Sequence, residues 1–227
     1  MWDLHARLLY RDGLMLVVNK PAGLPVHKGP GGGPCLEDLL DQLRFGLPRR
    51  PGLAHRLDRD TSGCLALGRH RKALARLGRL FAAGRVEKCY WALVHGRPHP
   101  DSGRIALPLA KISQDRRSWR MRVDPAGRPA VTDYRLIAHG DGVSWLELWP
   151  RTGRTHQLRV HLAAIGCPVV GDVHYGRPEE EGLLPLMLHA RALAVPLYPN
   201  RPPVRVEAPP PETMRAFLAR LGAEVAA

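Results

Sequence analysis

The sequence predicts an α+β fold, a largely antiparallel mixed sheet with flanking helices. Three features point there. Short apolar runs, several rich in β-branched or aromatic residues, recur between Gly, Pro, Asn and Asp. Only four segments space their apolar residues as a helix does. The strand-like runs come in groups, whereas a parallel α/β fold would alternate strand and helix one by one. At 227 residues the chain can bury a core, and a single domain, 1–227, is expected.

Taken in order, LMLVV (14–18) reads as a short strand stopped by Asn19-Lys20-Pro21. GPGGGP (29–34) reads as a loop. CLEDLLDQLRFG (35–46) sets Leu36, Leu39, Leu40 and Leu43 on one helical face and ends on Gly46. CLALG (64–68) has the look of a buried strand. RHRKALARLGRLFAAGR (69–85) follows as a helix with Leu74, Leu77, Leu80 and Phe81 inward, stopping at Gly84. Arg71, Lys72, Arg76 and Arg79 fall largely off that stripe, as a solvated face or an RNA contact. KCYWALVHG (88–96) is a strand. RRSWRMRV (116–123), the turn DPAGR (124–128) and AVTDYRLI (130–137) carry a hairpin signature. GVSWLELWP (142–150) is a further strand. In TGRTHQLRVHLAAIG (152–166), Thr155 is expected to cap a helix with Leu158, Leu162 and Ile165 inward. PPPETMRAFLARLG (209–222) reads as a capped terminal helix with Met214, Phe217, Leu218 and Leu221 inward.

Charge narrows the function. Thirty-four Lys and Arg face 21 Asp and Glu, a net charge of +13, and only five of the 34 are Lys. Such a surface attracts polyanions, and guanidinium groups suit phosphates and bases. Genomic coding bias can explain Arg over Lys, but not the net excess. No window approaches 18 consecutive apolar residues, so no membrane span is expected. The N-terminus lacks the pattern of a secretory signal. Cys35, Cys64, Cys89 and Cys167 are scattered, without a C-x-x-C pair. A reduced, cytoplasmic protein is expected.

HRLDRDTSG (55–63) concentrates charge at the lip of a buried strand. Asp58 and Asp60 can be read as paired carboxylates, since positions i and i+2 of a strand point the same way. The plain alternative pairs them with Arg56 and Arg59 at the surface, where ion pairs are common and weak. Ser62 lacks the G-x-S-x-G elbow of a hydrolase, and a kinase loop would need another residue order and an Asn. His55, His156, His161 and His189 lack metal-ligand spacing, and GPGGGP is not a phosphate-binding P-loop. No metal and no cofactor are implied.

HRLDRDTSG also resembles the H-R-L-D-x-x-T-S-G signature of the RluA branch of RNA pseudouridine synthases. NKPAGLPVH (19–27), EKCYWALVHG (87–96), GRTHQLRVHL (153–162), GCPVVGDVHYG (166–176) and LMLHA (186–190) are similar to further segments of that family, in the family's order. The likeness runs from about residue 14 to residue 217. Cys89 stands where the family more often has Thr, with no evident bearing on the chemistry.

The resemblance implies an isomerase that breaks the glycosidic bond of a uridine in structured ribosomal or transfer RNA and rejoins the base through carbon-5. It implies no cofactor and no metal. Asp58 takes the role of nucleophile or stabiliser, as carboxylates do opposite oxocarbenium-like centres. Arg154 is implied as its salt-bridge partner, with Arg159 as the second candidate. Tyr90 matches the tyrosine that packs on the target base, and Leu188 an apolar residue against the uracil. Arg56 matches the residue that fills the gap when the base flips out. NKP begins by residue 19, so a compact member without the extra N-terminal RNA-binding domain is expected, as a monomer. Two other functions are open: a non-catalytic RNA-binding or ribosome-assembly factor on the same fold, and a glycoside hydrolase or nuclease using Asp58 and Asp60. The first has no need of Asp58, Tyr90 and Arg154 together. The second leaves the excess charge unexplained as a hydrolase and lacks a metal cluster as a nuclease.

Overall fold

A computed structural model describes residues 2–29, 32–112, 120–178 and 183–222. Strands β1 (Leu8–Arg11) and β2 (Met15–Lys20) precede helix α1 (Leu36–Leu39), β3 (Gly52–Leu53), β4 (Ser62–Gly68) and α2 (Arg71–Ala82). Then come β5 (Glu87–His95), β6 (Ser102–Ile105), β7 (Leu109–Lys111), β8 (Met121–Val123), β9 (Thr132–Gly140) and β10 (Val143–Pro150). Helix α3 (Gln157–Ala164), β11 (Leu188–Val195), β12 (Val204–Glu207) and α4 (Glu212–Arg220) complete the order. The chain divides into two compact units, Met1–Lys88 with Ala190–Pro209, and Cys89–His189 with Pro210–Ala227. Each is α+β.

In the first unit the strand order is β1–β2–β4–β11–β12, with β3 also on β4. The β1–β2, β2–β4, β3–β4 and β11–β12 pairs are antiparallel. All seven residues of β4 are buried, which is why CLALG reads as a continuous apolar run and not an alternating one. Met15, Val17, Leu77, Leu80, Leu193, Val195 and Val206 form the core, so α2 buries Leu77 and Leu80 of its stripe with Phe81 packed beside them, while Leu74 is half-buried. The imidazole of His70 caps α2 by accepting the Ala73 N–H, and Gly84 follows its end at φ +65°.

In the second unit the order is β5–β10–β9–β6, all antiparallel, and β7–β8 form a separate two-stranded ribbon. Its core joins Ala92, Val94, Leu146 and Leu148 of the sheet to Leu158 and Leu162 of α3 and Met214 and Leu218 of α4. Among the described residues no helix is long and apolar enough to cross a membrane.

Several sequence expectations change. The segment 35–46 is one short α-helix that tightens to a 3₁₀ turn over Leu40–Leu43. Leu36, Leu40 and Leu43 are still buried. The hairpin expected from 116–137 does not form: Met121–Val123 pairs with β7, and Thr132–Gly140 lies between β10 and β6. The DPAGR turn is present, with Gly127 N–H donating to the Asp124 carbonyl, but it returns Arg128 to Leu109. Residues 116–119 of that expectation, and 30–31 of the glycine loop, lie outside the described residues.

Helix α3 starts later than expected and Thr155 does not cap it. His156 holds the N-cap position at φ 52° without a side-chain cap. The Gln157 amide serves the turn ahead instead: its Oε1 accepts from Thr152 Oγ1 and the Arg154 N–H, and its Nε2 donates to Thr132 Oγ1 and the Val131 carbonyl. Residues 157–162 are buried all round, so apolar periodicity had no single face to report. Helix α4 begins after Pro211, also without a side-chain cap.

Candidate active site

In the first unit, HRLDRDTSG is an irregular loop running into β4, held by what lies beside it. His55 Nε2 accepts the N–H of Ala66 at 3.0 Å, and its ring stacks on Phe81 at 4.2 Å. Burial, with Lys88 nearby, pushes His55 down to about 3, so it is a neutral packing and acceptor group. Leu57, Thr61 and Ser62 are buried. Thr61 N–H donates to the Asp58 carbonyl across a tight turn. Gly63 has φ +109°, and a Cβ there would lie 2.3 Å from the Ala190 carbonyl oxygen, so only glycine lets β4 start here. Asp58 is not on a strand, and the i, i+2 argument for pairing it with Asp60 fails. Asp58 is half-buried, while Arg56 and Arg59 are exposed. Arg59 Nε lies 4.0 Å from Asp60 Oδ1 and donates to the Gly23 carbonyl, the surface pairing expected for variable positions.

The strongest hold on this loop is Lys20, at the end of β2 and 0% exposed. Its Nζ donates to the carbonyls of Pro21, Leu24 and Arg59, each at 2.8 Å. Three acceptors match the three donors of an ammonium. Burial pushes its pKa down to about 7, against the fields of Asp60 and Asp58. Lys20 therefore ties the NKP segment to the Asp58 loop and sets a positive charge near that carboxylate.

In the second unit, α3 carries the arginines. Arg159 is 4% exposed. Its Nε and Nη2 donate to Asp172 Oδ2 and Oδ1 at 2.7 and 2.6 Å, a bidentate buried pair. Asp172 Oδ1 also accepts the N–H groups of His174 and Tyr175. Burial alone would raise the Asp172 pKa; the Arg159 and backbone hydrogen bonds outweigh it and hold it below the ordinary value. The Tyr175 ring lies 5.2 Å from the Arg159 guanidinium, and its hydroxyl meets His156 Nδ1 and accepts the Met121 N–H. Gly171, at φ +73°, would put a Cβ 2.2 Å from the Pro185 carbonyl oxygen. The GDVHY segment is thus a rigid bracket for Arg159. Arg154 is half-buried, with Nε donating to the Pro129 carbonyl. Tyr90 lies on β5 opposite Leu148 of β10, half-buried against the core. Leu188 opens β11 at 3% exposure, within the same core.

Arg56 and Asp58 thus share one loop of the first unit, and Tyr90, Arg154, Arg159 and Leu188 belong to the second. Sequence reasoning missed Lys20 and Asp172 as functional groups. Both stand inside quoted motifs, NKP and GCPVVGD, but their partners are carbonyls or side chains that local spacing does not indicate.

A family model described as RNA pseudouridylate synthase matches residues 14–164. An uncharacterized RNA pseudouridine synthase of Zymomonas mobilis is 45% identical over 210 residues, covering 92% of this chain and 95% of that protein. Ribosomal large subunit pseudouridine synthase D of the same organism is 37% identical over 187 residues, 78% of this chain and 57% of its own length. Among solved structures, human RNA pseudouridylate synthase domain containing 4 superposes with a TM-score of 0.81 at 28% identity, covering 99% of this chain and 96% of the other. The HRLDRDTSG loop, the sheet that carries it and these likenesses lead to one conclusion: the chain belongs to the RluA branch of the RNA pseudouridine synthases, isomerases that convert uridine to pseudouridine.

Proposed function

We propose that this protein, acting as one catalytic domain in the cytoplasm and as a monomer, isomerises a specific uridine in structured ribosomal or transfer RNA, with Asp58 as the nucleophile. The observation that carries this reading is the immobilised loop. A half-buried carboxylate rests on a backbone tied down by buried Lys20 and Leu57 and by the His55 imidazole. That is the preorganisation a covalent carboxylate needs.

The target base flips out of its stack and Arg56, exposed beside Asp58, fills the space it leaves. The carboxylate bonds either carbon-1′ of the ribose, with the C1′–N1 electron pair leaving on the uracil, or carbon-6 of the base. In both routes the C1′–N1 bond breaks with its electron pair on the uracil, a carbon-5 to carbon-1′ bond forms, the carboxylate is released, and the proton lost from carbon-5 is balanced by one gained at N1. Nothing is added or lost, so no cofactor is required. Tyr90 packs on the base and assists removal of that proton, and Leu188 supports the uracil. For the counter-charge of Asp58 this reading takes Arg154, which spends only its Nε on a carbonyl, with Arg159, already bidentate to Asp172, as the second candidate.

The test incubates wild type and Asp58→Asn with total RNA from a strain lacking the gene, and maps pseudouridine. Wild type is expected to restore at least one site. The variant should lose on the order of 10⁴-fold or more in rate, the scale of a removed nucleophile, while still binding RNA. Equal modification by both proteins would remove Asp58 from this role. Arg56→Ala should slow a stem-loop substrate more than a short unstructured one; equal losses would remove the base-flipping role.

A further inference from the structure

We propose that the outer face of α2 is a second RNA-contact surface, which grips the phosphate backbone of the substrate away from the target uridine. The inference rests on the reading of the substrate as RNA and adds a site to it. Arg71, Lys72, Arg76 and Arg79 lie within about 140° of the helix circumference, with Ala75 between them. The opposite side carries the buried Ala73, Leu77 and Leu80. From Thr61 to Val86 the sequence has no Asp or Glu at all. Among the described residues none of the four cations has a carboxylate within salt-bridge distance.

The arrangement works against the helix in isolation. Arg71 and Lys72 sit in its first turn, where the macrodipole disfavours positive charge, and no acidic residue offsets them. Lys72 and Arg76 repel each other at i, i+4. A solvated face built for stability would intersperse both signs. Phosphates relieve both penalties at once. The patch also continues past the helix. Beyond it stands Tyr198, whose hydroxyl donates to Asp12 and whose ring lies 5.3 Å from the Arg201 guanidinium. Arginine beside a half-buried aromatic ring is a surface that can take phosphate and base together. Charge complementarity therefore selects a polyanion, and RNA is the polyanion this family already handles.

The experiment compares two variants that each lose four positive charges. One is Arg71→Gln/Lys72→Gln/Arg76→Gln/Arg79→Gln. The other is Arg97→Gln/Arg104→Gln/Arg122→Gln/Arg135→Gln, whose arginines pair with Asp101, Asp133, Asp124 and Glu147. The probe is a fluorescein-labelled RNA hairpin titrated between about 50 and 200 mM salt. The α2 variant is expected to bind more weakly and to lose roughly 3 from the slope of log affinity against log salt. The paired-arginine variant should lose far less. Single-turnover rate at saturating total RNA should be unchanged in the α2 variant, and its melting temperature should hold or rise as repulsion is removed. Equal slopes in the two variants would mean net charge alone is at work and would overturn the proposal. So would an α2 variant that keeps its RNA affinity but loses binding to vesicles containing phosphatidylglycerol. Absence of pseudouridine formation by the wild type would instead strike the proposed function and leave the α2 result standing.

Discussion

The two units of the molecule differ in how far their basic residues are balanced by acidic ones. The first holds 19 Lys and Arg against nine Asp and Glu, net +10; the second holds 15 against 12, net +3. Among the described residues, seven arginines of the second unit are committed, against four in the first, Arg44, Arg59, Arg191 and Arg205. Arg97, Arg104, Arg122, Arg135, Arg151, Arg159 and Arg215 each meet a carboxylate, and Asp133 serves both Arg104 and Arg151. In the first unit the long basic run through α2 has no such partners among the described residues. Paired arginine is spent on holding a fold, and unpaired arginine keeps its field for a ligand. The chain's +13 is therefore not a diffuse property but largely that of one unit.

The largest effect expected lies inside the second unit. Asp172→Asn leaves the Arg159 guanidinium buried beside a neutral amide, a change that typically costs about 3–5 kcal/mol. Urea unfolding should show the midpoint drop without a change in slope. A loss no greater than that of an exposed pair would mean the bracket is not what holds Arg159.

Next comes the matching change in the first unit. Lys20→Met would strand three carbonyls, at about 1–3 kcal/mol for each buried group left unsatisfied. Water entry would offset part of that. It should also slow the chemical step by about tenfold or more through loss of loop position, with KM for RNA nearly unchanged. A rise in KM with kcat intact would recast Lys20 as an RNA contact.

The pH dependence sharpens the same point. Above pH about 7 the buried ammonium gives up its proton, and one of its three carbonyl partners then faces a lone pair. The rate should decline through that range in wild type and stay flat, at a lower level, in Lys20→Met. Stability runs the other way. The folded Lys20 titrates near 7 and the unfolded one near 10.5, so between them the unfolded chain binds more protons and this group makes stability rise with pH. The Lys20 contribution to stability therefore cannot explain the declining limb, and circular dichroism across that range checks that the fold persists.

The smallest effect belongs to the exposed pairs. Arg97→Gln breaks a solvent-exposed i, i+4 contact with Asp101 and should leave the melting curve unmoved. A clear loss there would blur the line drawn between exposed and buried pairing.

Much of this was legible from the residues in order. The stripe of α2, the apolar run of β4 and the strand KCYWALVHG are local patterns, each settled by side chains a few positions apart. So was the candidate loop, because HRLDRDTSG keeps its chemistry in nine consecutive residues. Other elements misled. Helix α3 is buried all round, so its periodicity carried no direction, and its N-cap position is His156 without a side-chain cap, not the expected Thr155. The strand Met121–Val123 pairs with β7 and not with β9, where Met121 packs with Leu109, Ala130 and Val160, residues that the intervening turn does not reveal.

By itself, then, the sequence determined the family, the basic character and its concentration around α2, and the identity of Asp58 as the residue to watch. These follow from covalent neighbours and from charges that can simply be counted. Only the tertiary structure decided that Lys20 is the clamp on the Asp58 loop, that Asp172 orients Arg159, and that Arg154 is tied to a carbonyl. The physical reason is desolvation. A lysine or aspartate takes on such a role when folding strips its water and supplies specific replacements. Those replacements come from carbonyls up to 39 residues away and from a side chain 13 residues away.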